Sequence, residues 1–122
     1  MTTPLVPTPL TDVEYRRLTE AFLGHVESTI DRWLQDDLAD IDTSRTGGLL
    51  ELMFTNGSKV VLNTQPPLHE LWMAARSGGY HYKYCDGRWM DTRDGGELMA
   101  ALSAAVSDHA GRKLAFDQIP AG

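Results

Sequence analysis

Between Tyr15 and Trp33 the apolar residues Tyr15, Leu18, Phe22, Val26, Ile30 and Trp33 recur at steps of three and four. That spacing draws one stripe along an α-helix, with Thr11 or Asp12 as its cap and an end near Leu34. Gln35 to Asp42 carries too much charge to stay buried. From Leu49 onward the period falls to two. Leu49–Phe54 and Lys59–Leu62 flank Asn56-Gly57, whose residues both tolerate positive φ, so the pair predicts a hairpin. Leu50, Leu52 and Phe54 then face one side of the sheet, and Glu51, Met53 and Thr55 the other. Pro66-Pro67 ends that unit, because neither residue can donate to a ladder. Leu68 to Ala75 fits helix and strand equally well. Tyr80–Tyr84 alternates and is aromatic, which predicts a strand. Asp86-Gly87 turns the chain into Arg88–Asp91. Leu98, Ala101, Leu102, Ala105 and Val106 form a second helical stripe that stops at Gly111. Leu114 and Phe116 pin a short tail.

Helix, strands, helix, with short turns between the strands, predicts an α+β fold. The two terminal helices pack on one face of a mostly antiparallel sheet, as a two-layer sandwich. The other face is left uncovered. The expected organisation is a disordered lead-in over residues 1–10, with several prolines, a single domain over 11–116, and a tail over 117–122. A chain of 122 residues with one cysteine, Cys85, forms no intramolecular disulfide and can build a real core without one. The start has neither a basic n-region nor an apolar h-region, and no apolar run is long enough to span a membrane. The expectation is a cytoplasmic protein that acts without a membrane.

Charge sharpens this picture. The formal net charge is -6, and much of the acid lies in the first third of the chain. Within residues 12–42, only Arg16, Arg17 and Arg32 oppose nine carboxylates. At about 100° per residue, Glu20, Glu27 and Asp31 fall within roughly 40° of one another, opposite Phe22. The helix is expected to dock by one side and show carboxylates to water on the other. Such a surface attracts cations or a basic protein and repels nucleic acid.

The stretch Asn56-Gly57-Ser58-Lys59, then Asn63-Thr64-Gln65-Pro66-Pro67-Leu68-His69-Glu70-Leu71-Trp72, then Gly78-Gly79-Tyr80-His81-Tyr82, resembles the bacterial frataxin family. The likeness runs from about Val13 to Phe116. It implies the two-layer frataxin-like sandwich and makes Leu68–Ala75 a strand. It also implies a protein that binds iron weakly and assists or regulates iron–sulfur cluster assembly by binding a cysteine desulfurase and its scaffold protein. By that resemblance the metal-binding and desulfurase-facing positions are Glu20, Glu27, Asp31, Asp36, Asp37, Asp40 and Asp42, on the first helix and at the start of the first strand. Asn63, Gln65 and Trp72 become a partner-binding patch. Many relatives carry adjacent acidic pairs on the helix where this chain has Glu27-Ser28 and Asp31-Arg32. Asp36-Asp37 restores some of the lost field.

The chemistry of the residues is consistent with that role. Carboxylates are hard ligands that suit Fe³⁺, Fe²⁺, Mn²⁺, Ca²⁺ and Mg²⁺ with little discrimination. The four histidines are scattered, two of them expected in strands, and no closed zinc spacing exists. One cysteine cannot hold an iron–sulfur cluster alone, so the chain would assist assembly rather than carry the product. No catalytic residues are expected. The alternative is a ferroxidase-like or iron-storage protein acting as an iron-dependent oligomer; a di-iron Glu-x-x-His motif is missing from the helix, and a monomer is expected.

Overall fold

The computed structural model describes residues 5–119. Helix α1 spans Asp12–Gln35, followed by strands β1 (Ile41–Thr46), β2 (Leu49–Phe54), β3 (Lys59–Gln65), β4 (Glu70–Ala75), β5 (Gly78–Cys85) and β6 (Arg88–Asp91), then helix α2 (Leu98–Ala110). The six strands form one meander in sequence order, each pair antiparallel. Both helices cover the same face. This is the two-layer arrangement expected from the helix–strand–helix order.

Local chemistry sets the ends of the helices. The Thr11 side chain accepts from Glu14 N–H, and Glu14 accepts from Thr11 N–H, which satisfies two donors at the start of α1. Gly111 closes α2 at φ 72°, a conformation that costs a glycine nothing. Alternation along the strands decides what faces the helices. Leu50, Leu52, Phe54, Val60, Leu62, Leu71, Met73 and Tyr82 point inward and are buried against Phe22, Leu23, Val26, Ile30, Leu102 and Val106. The tail completes the layer. Leu114 and Phe116 are buried, and the Phe116 ring lies 4.7 Å from Trp33. Phe116 N–H donates to Ser103 Oγ, and Leu114 N–H donates to Ser107 Oγ, which fastens the tail to α2.

The structure departs from the sequence reading in three places. Ile41–Thr46 is a strand; the pattern of the chain gave no element there, and only the resemblance placed the start of a first strand near Asp42. Its side chains alternate, but only Ile41 is fully buried, as suits an edge strand. Leu68 and His69 do not belong to a strand. Pro66–Leu68 is a 3₁₀ turn, and β4 begins at Glu70. His69 sits at φ 51° and stacks on Tyr15 at 4.8 Å, with a 2.8 Å contact to Asp12. The Tyr15 hydroxyl donates to the Glu70 carbonyl and accepts from Gln65 N–H, so α1 holds both ends of that turn. Of the lead-in, residues 1–4 lie outside the described residues. Thr8 N–H donates to the Tyr84 carbonyl, and Asp86 N–H donates to Thr8 Oγ1.

His109, at the end of α2, is buried. Arg76 N–H donates to its Nε2 at 3.2 Å, so that nitrogen is unprotonated; Nδ1 then donates to Ser58 Oγ at 2.9 Å, and the Ser58 hydroxyl donates to Asn56 Oδ1. Asn56 Nδ2 returns the bond to the His109 carbonyl. The closed circuit ties α2 to the β2–β3 and β4–β5 turns. Burial and the nearby Arg76 charge hold the imidazole below its ordinary value of 6.5, with Asp108 opposing. The folded state therefore binds this proton less readily than the unfolded chain. The stability that His109 contributes is full above the unfolded value and is lost as pH falls through the lower, folded one. Urea unfolding of wild type and His109→Gln should show a stability gap that narrows from about pH 7.5 to about pH 5. A gap independent of pH would contradict the neutral circuit.

Candidate functional site

The residues singled out from the sequence fall on two surfaces: the outer flank of α1 with the turn that follows it, and the uncovered face of the sheet. On the first, the expected ridge divides into two parts. Glu20 and Glu27 do not face open water alone. Arg45 reaches from β1 with one guanidinium nitrogen on Glu20 Oε2 and the other on Glu27 Oε1. Arg45 is therefore a cation that the tally over residues 12–42 missed, and it corrects the expectation that only Arg16, Arg17 and Arg32 oppose the ridge. Its side chain is 21% exposed, that of Glu27 31% and that of Glu20 59%. Burial works against the charge on Arg45, but the bonds from Glu27 and Glu20 outweigh it and raise the guanidinium above its ordinary value.

Asp31, Asp36, Asp37, Asp40 and Asp42 are different. All five are exposed, and none makes an ion pair among the described residues. Asp31 lies on the last turns of α1, and Asp36 caps its C-terminus. Asp37 adopts φ 56°, which turns the chain toward Asp40. The C-terminal end of a helix carries partial negative charge, so the helix dipole adds to the field of these aspartates. Asp42 is set apart from the helix. It lies on the uncovered side of the sheet edge, in register with Met53 and Lys59.

On the sheet face, Asn63, Trp72 and His81 stand in one row across β3, β4 and β5, with Gln65, Glu70 and Lys83 in the next. Trp72 is half-buried, so it belongs to neither core layer. Its indole stacks on His81 at 4.0 Å and 8° between planes. The side chains of Asn63 and Gln65 make no hydrogen bond among the described residues and are partly exposed. The resemblance had named Asn63, Gln65 and Trp72; it had not singled out Glu70, His81 or Lys83, which surround the indole.

The arrangement limits the metal chemistry open to it. Among the described residues, no three His, Cys, Asp or Glu groups converge on one position that could hold a metal ion. The donors present fit cations held loosely by exposed oxygens and do not fit a closed, selective centre. Cys85 is partly buried, and its Sγ lies 3.7 Å from the Lys83 carbonyl. Burial and the Asp86 charge push its thiol up, which keeps it protonated and a poor nucleophile. No helix among the described residues is long and apolar enough to cross a membrane.

Comparison with known proteins places the chain among proteins of this architecture. A family model described as a frataxin-like domain matches residues 8–112. The iron-sulfur cluster assembly protein CyaY of Cupriavidus taiwanensis is 47% identical over 108 residues, covering 88% of this chain and 97% of that protein. The CyaY of Polaromonas sp. is 44% identical over 108 residues, covering 88% and 93% respectively. Among solved structures, the frataxin of Psychromonas ingrahamii superposes with a TM-score of 0.80 at 34% identity, over 88% of this chain and 99% of that one. The chain belongs to the frataxin family. A trimeric yeast frataxin complexed with ferrous iron shares the fold at 19% identity and a TM-score of 0.67.

The Arg45 fork makes a measurable prediction. Double-mutant cycles by urea unfolding should give Arg45–Glu27 a coupling near the top of the range of about 0.2–1 kcal/mol for partly exposed pairs, and Arg45–Glu20 one nearer the bottom. The less exposed carboxylate is the less screened. Equal couplings, or none for Glu27, would contradict this geometry.

Proposed function

We propose that this protein serves iron–sulfur cluster assembly in the cytoplasm, as a binding and regulatory component rather than a catalyst. It binds iron weakly as cargo through the carboxylates at the end of α1, and docks on a cysteine desulfurase and its scaffold protein. The observation that carries this reading is the set of five exposed aspartates, Asp31, Asp36, Asp37, Asp40 and Asp42, which make no ion pair among the described residues. Membership of the frataxin family, and close relatives named for iron-sulfur cluster assembly, support it.

The geometry divides the work. The open aspartates supply a long-range attractive field for a basic partner and loose oxygen ligands for Fe²⁺. Glu20 and Glu27 join them only if a cation displaces Arg45. The sheet face adds short-range contact. Trp72 offers a broad, stiff surface at low entropic cost, and the free amides of Asn63 and Gln65 offer donors and acceptors to a partner's backbone. Charge brings the partner in and fixes its orientation; the aromatic and amide contacts slow its departure.

Reversal of Asp31, Asp37 and Asp40 to lysine tests the reading. These residues are exposed and unpaired, so the fold should survive, as circular dichroism would verify. Affinity for a cysteine desulfurase at low salt should fall by about tenfold or more, and the dependence of affinity on salt should flatten. An unchanged affinity and salt slope would rule out docking by this end of the helix.

A further inference from the structure

Glu70 is out of place for a carboxylate. It lies on the uncovered side of the sheet, where acids normally reach water, yet the residue is only 9% exposed. What covers it is the aromatic patch itself. Trp72 Nε1–H donates to Glu70 Oε1 at 2.7 Å. Lys83 Nζ lies 3.3 Å from Oε2. His81 Nδ1 lies 3.9 Å from Oε1, and the His81 ring is the one stacked on the indole. The register explains the convergence. Residues 70 and 72 share a face two positions apart, and β5 places Lys83 opposite Glu70 and His81 opposite Trp72. Lys83 is itself anchored, donating to the Leu68 carbonyl at 2.9 Å.

A tryptophan on an open sheet face normally samples several rotamers, and binding must then freeze it. A carboxylate that accepts from the indole N–H fixes both side-chain torsions, and a stacked imidazole closes one ring face. The other face and the ring edge are left to meet a partner in a single orientation. Ordering a side chain before association removes about 0.5–1.5 kcal/mol of the cost of binding. At about 1.4 kcal/mol per tenfold, that corresponds to roughly two- to tenfold in affinity.

We propose that Glu70 is the positioning residue of the sheet-face docking surface. Through its bond to the indole N–H, and with Lys83 and His81 as its other neighbours, it holds Trp72 in the orientation a protein partner meets. The proposal rests on the reading of the Asn63–Trp72 face as a docking surface. Glu70 does not itself contact the partner. Its effect reaches the complex only through Trp72, so losing the carboxylate and losing the indole N–H should cost the same affinity once, not twice.

The test uses the full chain and four variants, Glu70→Ala, Glu70→Gln, Trp72→Phe and the Glu70→Ala/Trp72→Phe double variant. Trp72→Ala serves as the reference for the surface. In ¹⁵N–¹H spectra of the free protein, Glu70→Ala should shift and broaden the Trp72 indole N–H resonance and leave those of the buried Trp33 and Trp89 in place. Glu70→Gln keeps an acceptor oxygen and should restore most of the signal. In titrations against a cysteine desulfurase with its scaffold protein, Glu70→Ala and Trp72→Phe should each weaken binding by roughly two- to tenfold. The double variant should be no weaker than either, and Glu70→Gln should lie close to wild type. An indole resonance indifferent to Glu70→Ala, additive losses in the double variant, or a Glu70→Gln as impaired as Glu70→Ala would overturn the proposal. If Glu70→Ala fails to fold, the comparison of Glu70→Gln with Trp72→Phe still decides: an impaired Glu70→Gln overturns, and a competent one supports. Unchanged binding by Trp72→Ala would remove the docking surface itself; a weakened Trp72→Ala beside a silent Glu70→Ala would remove only the role given to Glu70.

Discussion

One constraint organises this molecule: a six-stranded meander has two faces, and the helices of the described residues cover only one of them. Burying Leu50, Leu52, Val60, Leu62 and Leu71 against Phe22, Val26, Leu102 and Val106 commits α1 to lie across the sheet by its apolar stripe. The charged residues of α1 are thereby pushed to its flanks and ends. The opposite side of the sheet stays open, with Trp72 at the middle of it. The acidic end of α1 and the aromatic patch are thus by-products of one packing decision, held at a set separation by a shared core.

Paired and unpaired charge then determine which parts of that surface project a field into solvent. The first half of the ridge is occupied from within: Arg45 forks Glu20 and Glu27 and ties α1 to the sheet edge. Among the described residues, the second half has no such partner. An ion pair already satisfied inside the chain gives little field to a distant cation, whereas Asp31, Asp36, Asp37 and Asp40 add theirs to that of the helix terminus. The same logic applies on the sheet. Glu70 is paired with Trp72 and Lys83, while the side chains of Asn63 and Gln65 make no hydrogen bond among the described residues.

The two helices, the Asn56-Gly57 hairpin and the strands at β2, β3, β5 and β6 were legible in the chain because their periodicity and turn chemistry agree. The edge strand β1 was not, since Ile-Asp-Thr-Ser-Arg-Thr has little apolar alternation to read. Its signal was Gly47-Gly48, a two-residue loop between paired Thr46 and Leu49. Gly47 takes φ 58°, and a Cβ on Gly48 would strike Thr64 Oγ1. Missing that strand also hid Arg45, whose partners lie 25 and 18 residues away and depend on where β1 packs. His69 read as a strand residue because its left-handed turn is imposed by Tyr15 and Asp12 from α1, a tertiary effect no local pattern carries. Glu70 was invisible for a similar reason: its role needs β5 in register beside β4.

The central claim is that cations meet this protein at the aspartates beyond the Arg45 fork. An anaerobic Fe²⁺ titration followed by ¹⁵N–¹H spectra tests it most directly, because paramagnetic broadening marks the residues nearest the ion. The account predicts early broadening of amides around Asp31 and from Asp36 to Asp42, with those around Glu20 spared until later additions. Broadening that begins at Glu20, or at the histidines with residues 31–42 untouched, would contradict it.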